Sequence, residues 1–408
     1  MNIYKIRLGL TCFLAITINT VFGQDKNLTT SFENSIEKLA AHAEQFGIDI
    51  ANKVKDIDTE KISLNAEKIA KVSEKEAIKI AEKFQGMDWD NFDVQVVPGE
   101  LEADANSVEK SKTIHKVYII SKNTPLSINN RYGTVDVKTW SKNEIKVEIT
   151  IRAIEASGSK ADEIINSVSI EETKSPNNIS LTTQINKGQS SWWNKVISSN
   201  NRGVQINYQI YLPQSNDLNV DNKYGAVILP DLKGNVDINV GYGSLTAGKL
   251  LGNTISINSS YGSAKIAAVK DATLDFKYGS MDLGEANNVK LNVGYCGGSK
   301  ISNLISSGDI SIKYSGGFNI GLDKNINRLN LDAAYSASSI RIDPSATFSY
   351  TVNVSYGGFD AGNSTITKED PDPDSRGPKL HKTYTGYHGK NTNSHVNIDS
   401  KYGSIKFQ

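Results

Sequence analysis

A tyrosine followed by a tight corner recurs along the C-terminal half of this chain, and that repeat restricts the fold more than any other feature. The unit reads apolar-x-apolar-x-Tyr-Gly-x-x-apolar and centres on Tyr224, Tyr242, Tyr261, Tyr278, Tyr295, Tyr314, Tyr335, Tyr356 and Tyr402. Until the last gap, successive tyrosines lie roughly 17 to 21 residues apart, a period typical of stacked solenoid coils rather than of independent domains.

Parity within a unit shows how a coil is built. Val236, Ile238 and Val240 share a face with Tyr242; Leu274 and Phe276 share one with Tyr278. Side chains two apart on a strand point the same way, so the pattern predicts tyrosines facing inward with the aliphatics. After the tyrosine the parity flips, as at Val227 and Leu229 or Met281 and Leu283. Glycine enters the positive-φ region without penalty, so the bend is assigned to Gly225, Gly243, Gly262, Gly279, Gly357 and Gly403. Cys296, Ser315 and Ser336 replace that glycine in three coils, where Gly297 and Gly316 could bend one residue later. The tyrosines are thus expected to form an internal ladder at about 4.8 Å, the inter-strand spacing, in preference to an external sugar-stacking platform. A hydroxyl near the corner would reach water or a carbonyl.

Composition agrees with an exported scaffold. Basic and acidic residues balance at 45 each, and 32 glycines accompany only 9 prolines, which excludes a collagen-like or wholly disordered chain. Neutral balance argues against a nucleic-acid partner. Arg131, Lys223, Lys277, Lys313 and Lys401 precede tyrosines, but Gly241, Ser260, Gly294, Ala334 and Ser355 interrupt that column, so it reads as solvated surface.

Residues 1–23 read as a secretory signal: Lys5 and Arg7, an apolar run from Leu8 to Val21, and Gly23 before Gln24. The run is too short for a convincing membrane span, and the residues around Cys12 do not suit a lipoprotein site. Cleavage would leave Cys296 alone, which is read as a buried corner thiol. Residues 24–111 form an amphipathic helical segment and linker. Phe32, Ile36, Leu39, Ala43, Phe46 and Ile50 line one stripe, suited to capping the coils or to homo-oligomerisation through a short coiled coil.

Residues 112–215 form a strand-rich region leading into the repeats. Ile145, Val147, Ile149 and Ile151 alternate cleanly, Val204 to Ile210 form another strand, and a short helix is predicted over Lys160 to Asn166. Trp192 and Trp193, set among Ser, Asn and Lys, are the candidate binding residues for a sugar or partner, against the alternative that they tuck over the end of the coils.

From Val117 to Gln408 the elements RYGTVDVKTW, EIKVEITIRA, INYQIYLP and the serial KYG or GYG coils resemble the putative-adhesin family of bacterial envelope proteins with β-strand repeats. That resemblance implies a β-solenoid envelope protein and carries no catalytic residues.

An enzyme of the polysaccharide-lyase kind would need carboxylates, or a basic residue, converging on one face, often with Ca²⁺. Asp237 and Asp309 occupy one position of the unit and Asp275 and Asp332 another, neither pair on adjacent coils, so no carboxylate column is expected. In an inserted loop at about 363–395, Asp370, Asp372 and Asp374 have calcium-like spacing but lack the glycine and glutamate of a calcium loop. His381, His388 and His395 recur there in a polar surface loop. The reading is a mainly β chain, a right-handed β-helix or β-solenoid at residues 216–408, exported to the periplasm, cell surface or medium. It is expected to be non-catalytic, without cofactor or metal, binding an envelope protein or glycan. The alternatives are a carbohydrate-active β-helix enzyme and a periplasmic partner of a signalling protein.

Overall fold

The structure is a computed structural model that describes residues 107–120, 124–175, 178–186, 203–375, 379–390 and 393–408, all within the unit Asp88–Gln408. The signal, nearly all of the 24–111 segment and the Trp192–Trp193 pair lie outside the described residues. Among those described, 24 strands join one open hydrogen-bonded sheet, with one α-helix, Gly158–Ser167. The helix matches the predicted position and buries Ala161, Ile164 and Ile165.

Each repeat contributes a strand, the tyrosine corner and a second strand, and up to the Tyr335 repeat each strand pairs in parallel with its equivalent in the next repeat. Thus Val236–Gly241 lies between Leu218–Lys223 and Ile255–Ser260, with Ile238 opposite Val220 and Ile257. Beyond the corner, Leu245–Leu250 lies between Val227–Leu229 and Ser263–Lys277. Two parallel ladders result, and their alternate residues form one buried cluster. Each fully buried aliphatic contributes about 1.5–3 kcal/mol. Ser263–Lys277, Ser280–Gly294 and Gly298–Lys313 run from one ladder into the other without a break.

The leading region closes one end. Val108–Ile119 pairs antiparallel with Glu144–Glu155, which pairs antiparallel with Gly203–Pro213 and so reaches Val135–Trp140. Two asparagines are fully buried there. Asn130 Nδ2 donates to the Ile206 carbonyl (3.0 Å) and to Asn222 Oδ1 (3.1 Å), while Asn222 Nδ2 donates to the Gly133 carbonyl (3.0 Å). Thr183 Oγ1 bridges Asn130 Oδ1 to the Tyr208 hydroxyl, so these buried polar groups are paired, as a low-dielectric site requires.

At the other end sequence order and spatial order part. The last strand pair of the chain is wedged between two earlier repeats. His395–Lys401 pairs in parallel with both Arg328–Ala334 and Phe348–Ser355, and Ile405–Phe407 with both Ser338–Ile342 and Phe359–Asp360. The insertion read as a polar surface loop is an antiparallel ribbon: Thr365–Asp370 pairs with His381–His388, which pairs with Phe348–Ser355. It shields that edge, and the Tyr350 hydroxyl donates to the Thr365 carbonyl (3.0 Å).

His388 should make this ribbon pH-sensitive. Its ring stacks on Phe348 (5.6 Å between centroids), its Nδ1 meets Ser364 Oγ at 2.9 Å, and burial holds its pKa below the ordinary imidazole value. Because the folded pKa is the lower one, its contribution is complete above the unfolded value and is lost as pH falls through that value toward the folded one. Hydrogen exchange of His381–His388 amides, corrected for intrinsic rates, should show weaker protection at about pH 5 than above pH 7. His388→Gln should remove most of that difference.

A tyrosine stripe as the candidate functional site

The register flip occurs at the tyrosine itself, one residue before its assigned place. Tyr132, Tyr224, Tyr242, Tyr261, Tyr278, Tyr295, Tyr314, Tyr335, Tyr356 and Tyr402 all have positive φ, between 52° and 62°, and no corner glycine does. A left-handed residue turns its side chain out of the alternation, so the rings face outward; from Tyr224 to Tyr402 they are 44–54% exposed. The internal ladder expected from parity is therefore wrong, because that inference assumed an extended backbone through the tyrosine.

Left-handed backbone costs an L-residue roughly 1–2 kcal/mol, and two sets of contacts oppose that cost. Each tyrosine N–H still donates to the neighbouring strand, as Tyr224 does to the Gly241 carbonyl (2.9 Å) and Tyr242 to that of Ser260 (2.9 Å). The rings also stack face to face in one row. Tyr242 and Tyr261 are 4.6 Å apart at 3°, and Tyr261 and Tyr278 4.8 Å apart at 6°. The row ends Tyr335, Tyr402, Tyr356, following space rather than sequence, with His381 edge-on to Tyr356 at 5.3 Å. Stacking contributes about 0.5–1.5 kcal/mol per pair.

Removing one ring therefore loses two such contacts but no core. Tyr278→Ala should cost about 1–3 kcal/mol in denaturant unfolding, below the 3–5 of a buried aromatic. Tyr278→Gly should cost less than Tyr278→Ala, since glycine accepts the left-handed conformation.

The glycines serve close approach instead. A Cβ on Gly262 would lie 1.7 Å from the Gly243 carbonyl oxygen, and one on Gly243 2.0 Å from that of Gly225. Where Cys296, Ser315 and Ser336 stand in this position, their side chains turn inward and are buried. Ser336 Oγ accepts the Ser315 N–H (2.9 Å), and Cys296 Sγ donates to the Gly294 carbonyl (3.5 Å). Burial pushes the Cys296 thiol pKa up, opposite to what a nucleophilic thiolate needs.

The row presents edges and hydroxyls, not ring faces. Among the described residues, none of the nine row hydroxyls from Tyr224 to Tyr402 has a protein partner; Tyr350 and Tyr384 lie outside the row. Lys277, Lys313 and Lys401 flank the row on one side, in register with Gly294 and Ala334 between them. Lys277 meets Asp275 at 3.1 Å; Arg131, Lys223, Lys313 and Lys401 make no ion pair among the described residues.

A second surface lies beside the first. Wedging of the last strand sets Asp399 opposite Asp332, a carboxylate pair that the sequence order hid and that corrects the expectation of isolated acids. It borders an open groove of about 470 Å³ lined by Lys290, Asn292, Ser311 and Asn330, and Asn353 Nδ2 donates to Asp399 Oδ1 (2.8 Å). Nearby, Arg328 forks onto Asp309 and holds its carboxyl below the ordinary aspartate pKa. The Asp370–Asp374 run closes a turn in which Asp372 Oδ1 accepts the Asp374 N–H (2.8 Å). His381, His388 and His395 each meet a different hydroxyl, on Ser355, Ser364 and Thr351. Among the described residues no three His, Cys, Asp or Glu side chains cluster to hold a metal, and no helix is long and apolar enough to cross a membrane.

Stripe and frame together define a repeat-built β protein with an exposed aromatic row. Among the solved structures similar to this chain are three that each cover 73% of its length. A putative adhesin of Bacteroides fragilis is matched over 97% of its own length at 13% identity, with a TM-score of 0.34. A putative adhesin of Parabacteroides merdae is matched over 96% at 11%, with a TM-score of 0.33. A putative cell adhesion protein of Clostridium sporogenes is matched over 99% at 12%, with a TM-score of 0.18. These descriptions coincide with the family named from the repeats. No family model and no curated protein matches the chain.

Proposed function

We propose that this chain is an exported, non-catalytic, adhesin-like binding protein: a right-handed β-solenoid that engages an envelope or extracellular partner through its outer surface. The observation that carries the reading is the tyrosine row, ten rings held at strand spacing, nine of them about half exposed, on a hydrogen-bonded frame. Parallel pairing of successive repeat strands from Leu218 to Ile342 supports a solenoid, and right-handed crossover is the rule for parallel connections. The signal-like N-terminus supports export, and Trp192 and Trp193 are proposed to add contact area.

The test is saturable binding of the mature chain to envelope fractions and glycan panels, with soluble products followed over time. Binding without product, weakened by Trp192→Ala with Trp193→Ala, is the expected result; absence of any saturable binding would refute the reading. One observation favours a carbohydrate-active enzyme as second reading, the Asp332–Asp399 pair in an open groove, since paired carboxylates serve glycoside chemistry. Product release abolished by Asp332→Asn would establish it.

A further inference from the structure

Resting on that binding-protein reading, we infer that the stripe from Tyr261 to Tyr402 takes an extended acidic polysaccharide, carboxylated along its length, laid parallel to the row of rings. From Tyr261 to Tyr402 successive ring centroids lie 4.8–5.1 Å apart, close to the advance of one sugar in an extended pyranose chain. Because each ring covers its neighbour's face, neither sugars nor nucleobases can stack there. The stripe offers phenolic hydroxyls and exposed ammonium groups, of which Lys277 is paired with Asp275.

Those ammonium groups flank both sides. On one, Lys277, Lys313 and Lys401 stand on every second strand, about 9 to 10 Å apart, with Gly294 and Ala334 leaving the ring edges open between them. On the other, register aligns Lys265, Asp282, Lys300, Asn319, Ser339 and Lys406. All six lysines are exposed. Against them stand Asp282 and Asp360 in the second column and, two residues back from the first, Asp275, Asp332 and Asp399, so six lysines face five aspartates and the stripe keeps only a small positive excess. A carboxylate every one or two sugars matches that spacing, with the hydroxyl row bonding to the sugar hydroxyls between. A single nucleic-acid strand, the other polyanion to weigh, depends on aromatic faces that this stripe does not expose.

The experiment immobilises polygalacturonate, dextran and a single-stranded oligonucleotide and measures binding of the full chain. Saturable, salt-weakened binding to polygalacturonate alone is expected. Combined Lys300→Gln, Lys313→Gln, Lys401→Gln and Lys406→Gln should weaken it by about ten-fold or more, whereas Lys112→Gln, Lys138→Gln, Lys146→Gln and Lys233→Gln, removing equal charge elsewhere, should change it less than about two-fold. Tyr278→Phe, Tyr295→Phe and Tyr314→Phe together should weaken it several-fold while leaving the ring row and thermal unfolding intact. No polygalacturonate binding, equal loss in both lysine sets, or equal affinity for the oligonucleotide would overturn the inference. If envelope binding persists while polygalacturonate binding fails, the binding-protein reading stands and this inference falls.

Discussion

Ending the chain at Ser394 should unfold the last third of the repeats. His395–Lys401 and Ile405–Phe407 are interior strands although they come last in sequence. Their removal strips Arg328–Ala334 and Phe348–Ser355 of a shared partner and uncovers the sites filled by Val396, Ile398, Ile405 and Phe407, each at most 1% exposed. Four such side chains account for roughly 6–12 kcal/mol, comparable with the whole stability of an ordinary domain. Hydrogen exchange should show protection lost across Arg328–Ala334 and Phe348–Ser355 and retained in Glu144–Glu155 at the far end, because repeat stability is transmitted between neighbours. Unchanged protection in the first two strands would mean that the last strand pair is peripheral.

Gly262→Ala should destabilise by about 3 kcal/mol or more, at the upper end of what overpacking costs. The new methyl would fall 1.7 Å from the Gly243 carbonyl oxygen, a backbone atom that can yield only by parting the two repeats and opening the Tyr242–Tyr261 stack. Gly297→Ala supplies the control, since a Cβ there meets nothing within 4 Å; it should fall within about 0.5 kcal/mol of the parent. Equal denaturation midpoints for the two variants would contradict close approach as the reason for the corner glycines.

Much of this frame was legible from residue spacing. Alternation located the strands, the tyrosine period gave the repeat, and the inward residues after each corner, such as Val227 and Leu229 or Met281 and Leu283, are buried as read. Which side of the flip the tyrosine occupies was not legible. Val240 and Leu245 point inward whether the chain bends at Tyr242 or Gly243, so parity is silent on which of the two carries the bend. Glycine's usual association with positive φ favoured the wrong one; here it serves the approach of backbones, an inter-repeat contact that no local pattern records. Spatial order was also hidden. Nothing in the order Tyr335, Tyr356, Tyr402 shows that the last ring stacks between the other two, so Asp332 and Asp399 looked remote. The one available signal was the long gap before Tyr402, which frees the final strand pair to return to an earlier position.

Acetylation of tyrosine hydroxyls in the folded full chain, read peptide by peptide with mass spectrometry, tests the outward ladder most directly. Tyr208 and Tyr350, each 1% exposed and pushed up to about 12 in pKa by burial, serve as internal references. The expected result is modification of Tyr224, Tyr242, Tyr261, Tyr278, Tyr295, Tyr314, Tyr335, Tyr356 and Tyr402 while Tyr208 and Tyr350 stay unmodified until the protein is denatured. Protection of the repeat tyrosines to the same degree as Tyr208 would place them inside the coils and contradict the outward ladder.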